Sequence, residues 1–271
     1  MTSFSPGLCS VTFRHLKAAS IIGAARKAHL TAIEWGGDIH VPPRQVETAR
    51  SVGAWTRAAG LLPASYGSYV DPPSSDMANF ESALGTATAL GAINIRIWPG
   101  TRGRPSSEYS VQERSRTAAS INAMAQEAAR HGVSISLEHH PNSLTDDTDS
   151  AARLMDEIAH RNVYLCWQPR PGLPLRDALV EIGRLGTSIS HIHVFAWDES
   201  RVRFPLADQE DYWCELLQAM PPSCFPGPRY AFLEFVAHDD LSRFEEDAAT
   251  LSRLLAEQTM TTRKTRDGNV R

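Results

Sequence analysis

The feature that most constrains this chain is a repeated alternation: a short β-branched or aromatic run, then a longer stretch of helical periodicity, recurring roughly every 30 residues. The runs are Ser10 to Phe13, Ala32 to Trp35, Leu62 to Tyr66, Ala92 to Trp98, Val133 to Glu138, Val163 to Trp167, Ile189 to Phe195 and Tyr230 to Val236. Strands joined by helices must be parallel and buried on both faces, which accounts for continuous apolar runs such as INIRI and AFLEFV. Eight such units are what a closed parallel barrel requires, so the expected fold is a single (β/α)8 TIM barrel over residues 8–258. The polar, basic segment TMTTRKTRDGNVR loses apolar periodicity, and 259–271 is expected to be a short disordered, flexible tail.

Helix signals between the runs agree. Ser110 with Glu113 three residues on, and Gly132 closing the segment, marks one capped helix. Asp149 is a candidate N-cap for the next. Leu241, Phe244, Ala248, Leu251 and Leu255 recur at helical spacing in the last. Two irregular stretches, PGTRGRPSSEY and AWDESRVRFPLADQED, follow strand ends and are candidate lids.

Composition narrows the partners. With 27 Lys+Arg against 31 Asp+Glu, the net charge is −4, and no global positive field draws a nucleic-acid backbone. The amino terminus lacks an export pattern and no apolar run approaches 18 residues, so neither secretion nor a membrane is expected. Four cysteines without a CxxC pair fit reduced, structural thiols in the cytoplasm. The expected partner is a small-molecule substrate, with a homodimer as a further expectation.

Polar residues inside buried strands need a reason. Alternation puts Ser134, Ser136 and Glu138 on one face of the fifth run, and His191 and His193 on one face of the seventh. Glu234 lies near the end of the eighth run and Gln168 just after the sixth. Facing carboxylates in a barrel mouth would be costly alone, whereas a divalent cation between them removes the repulsion and offsets their desolvation. The other candidates follow strand ends too. Glu34 and Arg96 fit either an interior ion pair or contact with a substrate oxyanion, and Trp98 fits stacking on a sugar or ring face. Tyr66, His140, Arg170 and Trp197 are further candidate substrate contacts, with His139 pointing outward and His191 packed inside.

Read through the motifs AIEWGGDIHVP, SISLEHHPNSLTDD, SHIHVFAWD, FLEFV and FEEDAATLSRLL, the chain resembles the xylose isomerase-like TIM barrel superfamily, in particular its sugar phosphate isomerase/epimerase group. The resemblance implies one divalent metal held by Glu138, Gln168, His193 and Glu234. Gln168 stands where the group usually has Asp, which removes one negative charge and leaves a stronger Lewis acid. Mn(II) suits the mixed oxygen and nitrogen donors, with Mg(II), Co(II) and Zn(II) chemically admissible. The implied activity is isomerisation or epimerisation of a small sugar or polyhydroxylated carbonyl compound, with Glu138 and Glu234 exchanging a proton and the metal stabilising an enediolate. A lyase or dehydratase shares this chemistry, and a non-catalytic ligand-binding barrel with a degraded metal site is the other alternative. Ketose epimerases of the group carry a further His, Glu and Arg where this chain has Pro171, Leu144 and Glu199.

Overall fold

In the computed structural model, which describes residues 3–268 and side chains to Gln258, the chain runs β1(Phe4–Cys9) α1(Ala18–Lys27) β2(Ala32–Gly36) α2(Val46–Ala58) β3(Leu62–Gly67) α3(Met77–Leu90) β4(Asn94–Ile97) α4(Val111–Arg130). It continues β5(Ser134–Glu138) α5(Thr148–Ile158) β6(Val163–Trp167) α6(Leu175–Leu185) β7(Ile189–Val194) α7(Glu210–Ala219) β8(Arg229–Leu233) α8(Leu241–Gly268). Every strand pairs in parallel with its sequence neighbour and β8 closes on β1, forming a TIM barrel. Among the described residues, no helix is long and apolar enough to cross a membrane.

The first strand differs from expectation. It is FSPGLC, Phe4–Cys9, and Ser10–Phe13 forms a 3-10 turn at its carboxyl end, so the barrel begins at Phe4 rather than at residue 8. Pro6 and Gly7 weaken the strand pattern in sequence, yet both fit here. The Pro6 carbonyl still accepts from Thr31 N–H at 2.9 Å. A Cβ on Gly7 would lie 2.6 Å from the Phe232 ring, so glycine is what lets that ring fill the barrel. The last strand stops at Leu233, which leaves Glu234 just beyond it. The expected tail from residue 259 overlaps the end of α8, and 269–271 lie outside the described residues.

Helix ends follow their capping chemistry. Ser110 and Glu113 form a reciprocal capping box at the start of α4. For α5 the cap is Asp147, not Asp149: its carboxylate accepts from Ser150 N–H at 2.8 Å, and Asp149 falls inside the first turn.

The outer helices pack Phe80, Ile121, Leu154, Ile182, Trp213 and Phe244 against the sheet. Within the α8 stripe of Phe244, Ala248 and Leu251 lies Asp247, only 4% exposed, whose Oδ1 accepts from Leu206 N–H at 2.7 Å. Burial pushes this carboxyl up to about 6. Because the folded value exceeds the unfolded one, the native state holds the extra proton. The associated stability is present at low pH and lost as pH rises through about 6. Asp247→Asn keeps the acceptor without the charge. It should raise the urea midpoint at pH 7.5 by about 1–2 kcal/mol of stability, discounted for residual hydration. An unchanged midpoint there would contradict a buried carboxylate working against the fold.

Candidate metal centre

Register brings the polar residues to one level at the carboxyl-terminal mouth. Cys9 aligns with Glu34, Glu34 with Ser65, Arg96 with Ser136, Glu138 with Cys166 and His193 with Phe232. Beneath them, Ser65 donates to Glu34 at 2.8 Å, and Asn94 donates to Ser136 at 2.7 Å. A register shift in the β6–β7 pairing lets the Ser190 hydroxyl enter this network, 2.6 Å from that of Ser136. The floor of the mouth is therefore a satisfied polar layer.

On it, the four expected ligands converge. His193 Nδ1 lies 2.8 Å from Gln168 Oε1 and 3.3 Å from Glu234 Oε2, and the Gln168 amide reaches Glu138 Oε1 at 3.5 Å. On its other side, His193 Nε2 is 3.2 Å from Glu34 Oε1. One imidazole thus faces oxygen acceptors with both nitrogens. Burial disfavours its charged form, but the Cys166, Glu234 and Glu34 side chains outweigh that and push His193 well above its usual value. Burial likewise opposes ionisation of Glu234, and His193 reverses it. Two oxygen acceptors around one nitrogen call for a proton or a cation between them, and two carboxylates, an amide oxygen and an imidazole are a donor set that fits a divalent ion.

Glu34 and Arg96 settle into the interior pair. Arg96 gives Nε and Nη2 to Glu34 Oε1 at 3.0 and 2.8 Å, and its Nη1 pairs with Glu138. Burial opposes ionisation of Glu34, yet Arg96 and His193 hold its carboxyl well below the usual range. Gly67 makes room for this: a Cβ there would meet Arg96 Nη2 at 2.7 Å. Among the described residues, the acidic, thiol and imidazole groups that bring ligand atoms within 4.8 Å of one another are Cys9, Glu34 and His193, whereas the four expected ligands are joined pairwise. Glu34 has Oε1 engaged by Arg96 and His193 and Oε2 by Ser65, whereas Glu138 spends only Oε2 on Arg96 and turns Oε1 toward Gln168, so Glu34 is better suited to orienting His193 through Nε2, which leaves Nδ1 turned to the other ligands.

Above the floor opens a cavity of about 240 Å3, walled by Trp98, His140, Phe195, Trp197 and Phe235, with Arg96, Glu138, Gln168 and Glu234 at its base. The Trp98 and His140 rings lie 4.3 Å apart, and His140 Nδ1 is 2.7 Å from Pro141 O. That contact requires Nδ1–H, which leaves Nε2 as the basic nitrogen. Arg203 lies over both Trp197 and Phe235 and pairs with Asp239 at 2.6 Å, tying the β7–α7 loop to the β8–α8 loop. Phe235, next to Glu234, has φ +55°, a strained value for a bulky residue.

Three expected substrate contacts lie elsewhere. Tyr66 is fully buried and donates to Val41 O at 2.8 Å, because its position in β3 points it away from the barrel interior that Ser65 faces. Glu34 is covered by Arg96. Arg170 lines a neighbouring hollow and pairs with Glu181 at 3.5 Å. Tyr69 and Arg14 line the cavity and were not among the expected contacts, and Arg201, one of several arginines that follow strand ends, lines it as well. Arg14 is paired with Asp38, whereas Arg201 has no carboxylate partner among the described residues. His191 is packed inside against Phe225, Tyr230 and Phe232, as expected.

Residues 22–219 match the family described as xylose isomerase-like TIM barrel. The chain belongs to this family. A curated relative, 3-dehydroshikimate dehydratase of Bacillus anthracis, is 28% identical over 169 residues, 58% of this chain and 59% of that protein. The match thus spans less than two thirds of the relative's length. Among solved structures, a probable 3-DHS dehydratase from Bacillus anthracis superposes with a TM-score of 0.75 at 20% identity, covering 92% of this chain and 99% of that one. An L-ribulose 3-epimerase gives 0.72 at 13% identity over 97% and 98% of the two chains. A xylose isomerase-like barrel from Mycobacterium smegmatis in complex with magnesium gives 0.66 at 16%, over 94% and 97%. A probable dehydratase and an epimerase thus share this barrel fold.

Proposed function

We propose that this protein is a metal-dependent lyase that removes water from a small, polyhydroxylated cyclic acid of the 3-dehydroshikimate type. The observation that carries the reading is the convergence of Glu138, Gln168, His193 and Glu234 beneath a cavity walled by aromatic rings and opened to a free His140 Nε2. Those four residues would hold the ion. When bound, a divalent cation supplies Lewis-acid polarisation of a substrate carbonyl.

The chain's own residues supply the rest. Nε2 of His140 takes a proton from the carbon beside that carbonyl, and the hydroxyl on the next carbon leaves with a proton as water. The proton that His140 Nε2 takes is the one the departing hydroxyl needs, and the imidazolium returns it there, since Glu234 is held ionised by His193 and Glu138 is paired with Arg96. Trp98 and Trp197 pack on the ring and exclude water. Arg201 receives the carboxylate of the substrate. Two facts favour elimination over epimerisation. The curated relative is a dehydratase, and the additional epimerase positions hold Pro171, the fully buried Leu144 and the exposed Glu199. Epimerisation stays as the second reading because Glu138 and Glu234 rise from β5 and β8 on either side of His193, as two-sided proton exchange needs.

The test is Mn(II)-loaded protein with 3-dehydroshikimate. Formation of 3,4-dihydroxybenzoate, with one water lost per turnover, is the expected result. Solvent deuterium entering L-ribulose without loss of water would move the assignment to epimerisation. No turnover and no exchange with either compound would remove the enzyme reading for these substrates.

A further inference from the structure

Behind the metal centre, between the barrel and the helical layer, lies a buried carboxylate that the reaction does not use. Glu181 sits on α6, in the stripe Ala178, Glu181, Ile182 and Leu185, and is 2% exposed. Its Oε2 accepts from Trp167 Nε1 at 3.0 Å and lies 3.9 Å from His139 Nε2. Its Oε1 is 3.5 Å from Arg170. His139, fully buried, turns its other nitrogen to the Gln168 carbonyl at 3.1 Å.

These contacts fall in a pattern. Trp167 precedes Gln168, Arg170 is two residues beyond it, and His139 follows Glu138. Strand alternation turns Glu138 and Gln168 into the mouth and their neighbours His139 and Trp167 outward, where one carboxylate meets both. A single acidic side chain from a different element thus bonds the outer face of the β6 end through Trp167 and packs beside, without bonding, the outer face of the β5 end at His139. A buried carboxylate among apolar helix positions is costly unless well partnered, and packing alone would be served by Leu.

We infer that Glu181 is a positioning residue for the metal centre, acting through Trp167 to fix the strand end that presents Gln168. The inference rests on the metal reading above. Residues that orient metal ligands typically contribute ten- to a hundredfold in metal affinity. Glu181 acts at one remove, through groups that touch the ligands' own backbone, so an effect of about tenfold is expected.

The experiment measures Mn(II) affinity by calorimetry for the full-length protein and its variants, with folding checked by circular dichroism and thermal melting. Glu181→Leu should bind Mn(II) about tenfold more weakly while still folded, and Glu181→Gln, which keeps an acceptor for Trp167, should recover most of that loss. A purely structural role would lower the melting temperature and leave the affinity of the folded protein unchanged. Trp167→Phe, which removes the donor to Glu181 but keeps an aromatic ring in place, should weaken binding by a similar factor and serves if Glu181→Leu does not fold. Affinity within twofold of wild type in the folded variants overturns the positioning role. Failure of the wild-type protein to bind Mn(II), Mg(II), Co(II) or Zn(II) overturns the metal reading, and the positioning role falls with it.

Discussion

Replacing Glu234 with alanine is expected to strip the protein of stoichiometric metal and to lower turnover of a dehydrated substrate by on the order of 10^3-fold. The side chain stands just past the end of β8, 3.3 Å from His193 Nδ1, and is 7% exposed. Its removal takes one of two carboxylate donors from a set already short of a charge because Gln168 is an amide. A site with one carboxylate, one amide oxygen and one imidazole is a weak ligand for a hard cation. Elemental analysis of purified variant and wild type reads the metal directly, and turnover at saturating added Mn(II) separates lost affinity from lost chemistry. Full metal content in the variant would show that Glu234 is not a ligand.

The second large effect concerns Arg96. Its guanidinium lies between Glu34 and Glu138, all three buried, and it is the only arginine that touches either carboxylate among the described residues. Arg96→Met leaves Glu138 without its counter-ion and Glu34 with His193 alone. Breaking such a pair from one side costs about 3–5 kcal/mol. Urea denaturation of the metal-free variant should show that loss, and Mn(II) should restore part of it, because a cation beside Glu138 replaces some of the missing positive charge. Arg96→Lys should recover little, since an ammonium cannot reach both carboxylates with a planar fork. A variant as stable as wild type without metal would mean that Glu34 and Glu138 are held by other groups.

Much of this arrangement was legible in the sequence because barrel strands have a strict side-chain period. Parity alone put Glu138 and His193 at the mouth, and position put Gln168 and Glu234 beside them. The failures are as physical as the successes. The first strand lies wholly before Ser10–Phe13, where the sequence pattern suggests it, because Pro6 and Gly7 resemble a breaker, whereas a parallel strand tolerates a proline there and the Phe232 ring requires the glycine. With β1 misplaced, Cys9 could not be seen as a strand-end residue beside Glu34. Tyr66 was credited with a site role that its parity denies. Glu181 was missed although its signal was present: an acid at a position of α6 where the helical period demands an apolar residue. Contacts made by loops, such as Tyr69 and Arg14, have no period to betray them.

The stacking of Arg203 sets how the mouth can be entered. Since it is wedged against Trp197 from one loop and Phe235 from the next, and anchored to Asp239, the two loops cannot swing apart singly without giving up both ring contacts and an ion pair. Phe235 is bonded to Glu234, so the joined loops and a proposed ligand share one stretch of backbone. Entry to the cavity and the seating of that carboxylate are therefore tied through a single peptide bond, and a molecule that braces Trp197 from within the cavity would steady Glu234 at the same time.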